Sequence, residues 1–180
     1  MTKNIFIGRQ RELEIMREIY SLPPATFVVL RGRRRIGKSR LVKEFAKDKT
    51  FYEFAGLAPE EGVTAQTQRN EFARRLGELF GLPGLKAEDW ADLFTVLAKQ
   101  VQKGKVIILL DEISWMAHGD ATFLAKLKNT WDTQLKNNSN LMLVVCGSIS
   151  PWIEKNILSS TAFVGRITQT VLLKELMLEE

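Results

Sequence analysis

Residues 26–45 read Thr26-Phe-Val-Val-Leu-Arg-Gly32-Arg-Arg-Arg-Ile-Gly37-Lys38-Ser39-Arg-Leu-Val-Lys-Glu-Phe45, and this stretch decides the fold. Thr26–Leu30 is a short apolar run, as expected of a buried strand. Gly32 to Ser39 follows the spacing G-x-x-x-x-G-K-[ST]. A helix is expected from about Lys38 to Ala46. Strand, glycine-bearing loop and helix in that order make a phosphate cradle. The glycines let the backbone curl so that its N–H groups face an anion, and the helix N-terminus adds positive potential. Lys38 is expected to set its charge on the β- and γ-phosphates of a nucleotide, and Ser39 to offer a hydroxyl oxygen to Mg2+. The candidate binding residues of this loop are Gly32, Arg33, Arg34, Arg35, Ile36, Gly37, Lys38, Ser39 and Arg40. Arg33, Arg34 and Arg35 are not demanded by the spacing. They are either a solvated loop tip or a contact with a partner or second ligand.

A second stretch answers the first. Val106-Ile-Ile-Leu-Leu runs into Asp111-Glu112, so a buried strand delivers two carboxylates at its C-terminal end, the Walker B pattern. Ligands bind at that end in open α/β sheets. Asp111 is the expected Mg2+ ligand, through water, and Glu112 the group that orients or deprotonates an attacking water. Ser148 follows a third apolar run, Leu141–Cys146. It either reaches the γ-phosphate or attacking water, or serves as a turn or capping serine before Pro151.

Working outward, helices are expected over Arg9–Tyr20, from Thr64 as N-cap to Phe80, over Glu88–Gln102, over Ala121–Lys136 with Asp120 as cap, and over Pro151–Asn156. Further strands are expected at Thr50–Phe54 and Thr170–Leu173. Strands alternate with helices. Two of the strands are apolar throughout rather than every second residue, as in a parallel sheet covered on both faces. The expected fold class is therefore α/β.

Composition narrows the function. The 180 residues are 45% hydrophobic and 26% charged, which fits one globular domain spanning the chain. No apolar run approaches the roughly 20 residues of a membrane span, and three apolar residues near the N-terminus make no signal-peptide core. A cytoplasmic location and no membrane partner are expected. Cys146, the single cysteine, has no internal disulfide partner and reads as a buried thiol. His118, the single histidine, reads as a solvated side chain in a polar turn, with no Cys/His metal site. Trp115, Trp131 and Trp152 read as core residues. The net charge of +5 is local. Residues 31–43 hold seven of the 26 basic residues and no acid, and outside them 19 basic residues face 21 acidic ones. A bound phosphate chain explains that better than a broad nucleic-acid surface.

Several segments together resemble one family. They are Ile5-Phe6-Ile7-Gly8-Arg9-Gln10-Arg11-Glu12, the loop Gly32–Ser39, Ile108-Leu-Leu-Asp111-Glu112-Ile-Ser-Trp-Met116, Cys146-Gly147-Ser148 and Val164-Gly165-Arg166. The set resembles AAA+/STAND-like P-loop ATPases of archaea and bacteria, a group often carrying a C-terminal nuclease-like domain. The resemblance implies a three-layer P-loop NTPase with a parallel sheet in the order 5-1-4-3-2, the Ser148 strand lying between the loop strand and the Asp-Glu strand. It implies ATP or ADP with Mg2+ as cofactors and an ATPase reaction serving a nucleotide-driven switch. It places Phe6, Ile7, Gly8 and Arg9 beside the adenine base, although Gln10 stands where the family motif has an acid. It makes Arg166 a catalytic candidate beside Lys38, Glu112 and Ser148, sensing the γ-phosphate or acting on a neighbouring subunit's nucleotide. Family members continue into a helical or winged-helix lid and an effector domain. The chain given ends at Glu180, so slow or absent turnover is expected of it, and a homo-oligomer or protein partner would be engaged through those further domains.

Two other classes compete. A nucleic-acid-binding module would use the arginine loop, but no basic–aromatic ladder accompanies it. A small-molecule kinase would fit the length and the loop, but Asp111, Glu112 and Ser148 favour water as nucleophile. A kinase would consume ATP only with an acceptor added. No Asn-Lys-x-Asp guanine-reading motif is present; Lys128-Asn129-Thr130 lacks the aspartate.

Overall fold

The structure is a computed structural model that describes residues 6–148 and 150–176. Five parallel strands form one sheet: β1 (Thr26–Gly32), β2 (Phe51–Ala55), β3 (Val106–Asp111), β4 (Leu141–Gly147) and β5 (Gln169–Leu173), in the order β2-β3-β4-β1-β5. Read from the other edge, this is the expected 5-1-4-3-2. β4 therefore separates β1 from β3, with Leu30 opposite Cys146 and Leu110 opposite Val145. That register brings the ends of all three strands level.

The unbroken apolar character of the central strands has a direct structural cause. Side chains alternate across a sheet. Phe27, Val29, Ile108, Leu110, Leu143 and Val145 enter one core, beneath α3 (Ala65–Phe80), α4 (Trp90–Gln100) and α6 (Phe123–Thr133). Val28, Leu30, Ile107, Leu109, Met142, Val144 and Cys146 enter the other, beneath α1 (Gln10–Ser21) and α2 (Lys38–Phe45). Helices on both faces leave no polar side of the sheet, so every position in β4 is buried. The Cys146 thiol is held above its usual range, first by desolvation.

Helix ends follow local chemistry. Thr64 caps α3 by accepting from the Thr67 amide at 3.2 Å while Thr67 Oγ1 accepts from the Thr64 amide at 3.1 Å. Three expectations shift. Asp120 does not cap α6 itself: Thr122 is the N-cap, and Asp120 Oδ1 accepts from the Thr122 amide at 2.9 Å and hydroxyl at 2.6 Å. The helix after β4 is one α-turn, α7 (Ser150–Ile153), followed by a π-helical turn, Glu154–Leu158. A short helix not anticipated from periodicity, α5 (Ile113–Met116), leads out of β3; four residues are too few for an amphipathic pattern. No helix among the described residues is long and apolar enough to cross a membrane.

Candidate functional site

The carboxyl ends of β1, β3 and β4 and the start of α2 bring together Gly32, Gly37, Lys38, Ser39, Asp111, Glu112 and Ser148. Gly32 ends β1 and opens the loop. Gly37 is the N-cap of α2 at φ 97°, which a residue with a Cβ adopts only with strain. No side chain caps α2 there, so its first N–H groups, which have no partner within the helix, are left for an external acceptor. Lys38 is 6% exposed, and its Nζ donates to the carbonyls of Gly32 and Arg33, 2.8 Å each. The ammonium thus sits inside the curl of its own loop, where a phosphate chain would replace those carbonyls.

Ser39 Oγ donates to Asp111 Oδ2 at 2.5 Å, which sets two hard oxygen donors side by side. Asp111 Oδ1 accepts from the Glu112 amide at 2.9 Å. Glu112 lies in the left-handed region, φ 51° and ψ 54°, where non-glycine residues are rare. Its carboxylate accepts from Ser148 Oγ at 3.0 and 3.1 Å. The serine at the end of β4 is therefore seated on the second carboxylate of β3, and it makes no cap for α7 among the described contacts.

Support for this turn comes from residues that no motif marks. A Cβ on Gly56 would come within 2.7 Å of the Glu112 carbonyl oxygen, so the chain leaving β2 packs directly on the turn. The Gly56 amide donates to the Asp111 carbonyl at 3.0 Å. Gln68, buried on α3, clamps the next residue: its Oε1 accepts from the Leu57 amide at 2.9 Å and its Nε2 donates to the Leu57 carbonyl at 2.8 Å. Its partners are backbone atoms, which leave no trace in residue spacing.

On the other flank of the loop, Phe6, Ile7, Arg9, Gly37, Arg40 and Leu176 line a cleft of about 270 Å3. Arg9 is 6% exposed; its Nη2 donates to the Ile36 carbonyl at 3.3 Å and its Nη1 lies 3.6 Å from Glu12. The Arg40 guanidinium lies 5.8 Å from the Phe6 ring centre. Gly8 sits in the turn that leads into α1, at φ 76°. Ile5 lies outside the described residues. Arg33, Arg34 and Arg35 are exposed. Arg33 pairs with Glu175 at 3.1 Å and Arg34 stacks 5.6 Å over the Trp115 ring, while Arg35 takes φ 64°. Among the described non-glycine residues, positive φ occurs at Arg9, Arg35 and Glu112, all at this end of the molecule.

Arg166 is not brought to this cluster. It precedes β5, and in a parallel sheet that position is the amino edge, whereas the loop lies at the carboxyl edge. Thr168, two residues on, bonds to Phe27 near the start of β1. Five strand positions from Phe27 to Gly32 at about 3.3 Å each put Arg166 roughly 16 Å from the loop. There its Nε and Nη2 donate to the two oxygens of Asp132 on α6 at 2.8 Å each. That guanidinium, with Lys128, holds the Asp132 carboxyl down at about 2.

The comparisons with known proteins agree with this geometry. Residues 6–180 match the family described as an ATPase domain predominantly from Archaea. The chain belongs to this family of P-loop ATPase domains. It is similar to the uncharacterized protein MJECL04 of Methanocaldococcus jannaschii, at 26% identity over 172 residues, 96% of this chain but 36% of that protein. It is also similar to the uncharacterized ATP-binding protein MJ0423 of the same organism, at 38% identity over 45 residues, 25% of this chain and 76% of that one. Among solved structures, the Walker-type ATPase PABY2304 of Pyrococcus abyssi shares the fold at a TM-score of 0.65 and 19% identity, covering 97% of this chain and 55% of that one. The Aeropyrum pernix ORC2 protein, in ADPNP–ADP complexes, gives 0.60 at 17% identity, covering 94% and 48%. The chain thus spans about a third to a half of the length of these longer relatives. As a member of the family it is a nucleotide-binding ATPase module.

Proposed function

We propose that the chain binds Mg2+·ATP across residues 32–39 and hydrolyses it with Glu112 as general base, working as a nucleotide-driven switch. The observation that carries this reading is the convergence of Lys38, Ser39, Asp111, Glu112 and Ser148 at the ends of three adjacent strands. The Ser39 and Asp111 oxygens suit Mg2+, which takes few protein oxygens and keeps several waters. When bound, Mg2+ would offset the negative charge of the phosphate oxygens. Lys38 would leave its carbonyl partners for the β- and γ-phosphates. Glu112 would take a proton from the attacking water, and Ser148 would hold that carboxylate in place and reach the γ-phosphate. Phe6, Ile7 and Arg9 line the cleft that suits the adenine. The greater length of the relatives supports a readout passed to regions outside this chain.

Single-turnover conversion of ATP, with protein in excess and no acceptor added, tests the reaction. Wild type is expected to release phosphate, and Glu112→Gln to bind ATP yet lose on the order of 10²–10⁴-fold in rate. An unchanged rate in Glu112→Gln, or consumption only when an alcohol acceptor is present, would contradict the reading.

A further inference from the structure

Arg31 follows the apolar run of β1 and immediately precedes the phosphate loop. Side chains alternate along a strand, so Arg31 shares a face with Phe27 and Val29, and in register it stands opposite Gly147 of β4. The chain that follows Ser148 folds back over this face. A Cβ on Gly147 would come within 2.7 Å of Ile153 Cδ1, so the end of α7 is seated directly on the strand end that carries Ser148. Ile153 and Ile157 are both buried in the core on this side.

The head of Arg31 meets the same segment. Its Nη1 donates to Glu154 Oε2 at 3.0 Å. The other oxygen of that carboxylate accepts from Ser159 Oγ at 3.1 Å, and the Glu154 carbonyl accepts from the Ser159 amide at 2.8 Å, which closes the π-helical turn. Such turns are rare and recur at functional sites. Stability does not explain the arginine. The side chains of the pair are 26% and 54% exposed, and ion pairs so open to water contribute little. Arg31 Nε is buried with no hydrogen-bond partner among the described residues, which carries a desolvation cost. An unbranched apolar side chain would fill the same path without that cost. What the guanidinium adds is a tie between the strand that feeds the phosphate loop and the segment that leaves Ser148.

We propose that Arg31 is a positioning residue for the Ser148–Glu112 pair, acting through Glu154. The Arg31–Glu154 contact pins α7 and the π-helical turn to the rim, and Ser148, held between the end of β4 and α7, keeps its place on the Glu112 carboxylate. This role rests on the ATPase reading of Glu112 and Ser148.

Two readouts on the whole chain test it. The first is amide hydrogen exchange over residues 147–158 without nucleotide, which needs no turnover. Arg31→Met keeps an unbranched apolar stem and removes the charged head; Glu154→Gln removes the partner's charge. Each is expected to speed exchange in that segment roughly twofold to fivefold. The second is single-turnover ATP hydrolysis, with ATP affinity read by calorimetry. Each variant is expected to lose roughly threefold to thirtyfold in rate with affinity changed less than about twofold, and the double variant to lose no more than the more impaired single one. A merely structural role would lower the melting temperature and leave rate and affinity of the folded protein alone. Glu154 is half exposed, so Glu154→Gln keeps the test valid if Arg31→Met fails to fold. Wild-type exchange in both variants, wild-type hydrolysis in both, or rate losses that add in the double variant would overturn the proposal. Absence of hydrolysis by wild type would instead contradict the ATPase reading, and exchange alone would then decide whether Arg31 pins the Ser148 segment.

Discussion

Glu112 is bent into a backbone conformation that non-glycine residues rarely adopt, and its carboxylate is held by the Ser148 hydroxyl. A hydrogen bond to a charged group contributes about 1.5–3 kcal/mol. Ser148→Ala should therefore slow single-turnover hydrolysis roughly tenfold to a hundredfold while ATP affinity, read by calorimetry, changes less. Equal losses in both would make Ser148 a binding residue only. A second residue-scale prediction concerns Asp132, whose folded pKa of about 2 lies below its ordinary 3.8. A depressed carboxyl stabilises the folded state at pH values above its unfolded pKa, and that contribution fades as pH falls towards the folded pKa. Asp132→Asn should thus unfold more readily than wild type near neutrality, with the difference shrinking below about pH 4 and gone only below about pH 2. A gap that stays constant across that range would mean the Arg166–Asp132 charge pair contributes nothing. That Lys38, Ser39, Asp111, Glu112 and Ser148 converge could be read because the loop after β1 and the ends of β3 and β4 each carry their own pattern. A Gly-Arg pair reads the same at either edge of a sheet, and the register of β5 against β1 places Arg166 at the amino edge.

At the scale of elements, the strands and the Thr64 cap could be read; the cap of α6, at Thr122 rather than Asp120, and the clamps could not. Thr64 at the head of a long amphipathic run reads as an N-cap, and the structure shows that cap, with a reciprocal bond to Thr67 that the spacing does not mark. Thr64→Ala should cost about 1 kcal/mol, within a range of roughly 0.5–2, seen as a lower melting temperature. Gln68 is different: nothing in its neighbourhood marks it, yet both of its amide atoms hold Leu57 beside the Glu112 turn. Gln68→Ala leaves the Leu57 N–H and C=O without that partner. It should destabilise by about 1–3 kcal/mol and also slow hydrolysis, because Gly56 then loses its fixed seat against Glu112. A variant that melts earlier but turns over normally would separate the clamp from the site. α5 escaped notice for a geometric reason, since one turn of helix shows no period.

At the scale of the molecule, the apolar strands encode more than burial. Their alternate residues feed two separate cores, and this requires helices on both faces with the loop of β1, the carboxylates of β3 and the serine of β4 at one rim. The neighbour relations of β1, β4 and β3 came from resemblance rather than from periodicity, which has no term for strand order. The half-buried indoles of Trp115 and Trp152 read in sequence like the core indole of Trp131, because a single tryptophan carries no local mark of its burial. Everything proposed for this rim depends on the curl of residues 32–39, with Lys38 inside it, being a phosphate site. Calorimetric titration of ATP and ADP, with and without Mg2+, into wild type and Lys38→Ala tests it most directly. Saturable binding is expected of wild type, strengthened by Mg2+ for ATP and abolished in a folded Lys38→Ala; equal binding by both proteins, or none by folded wild type, would rule the phosphate site out.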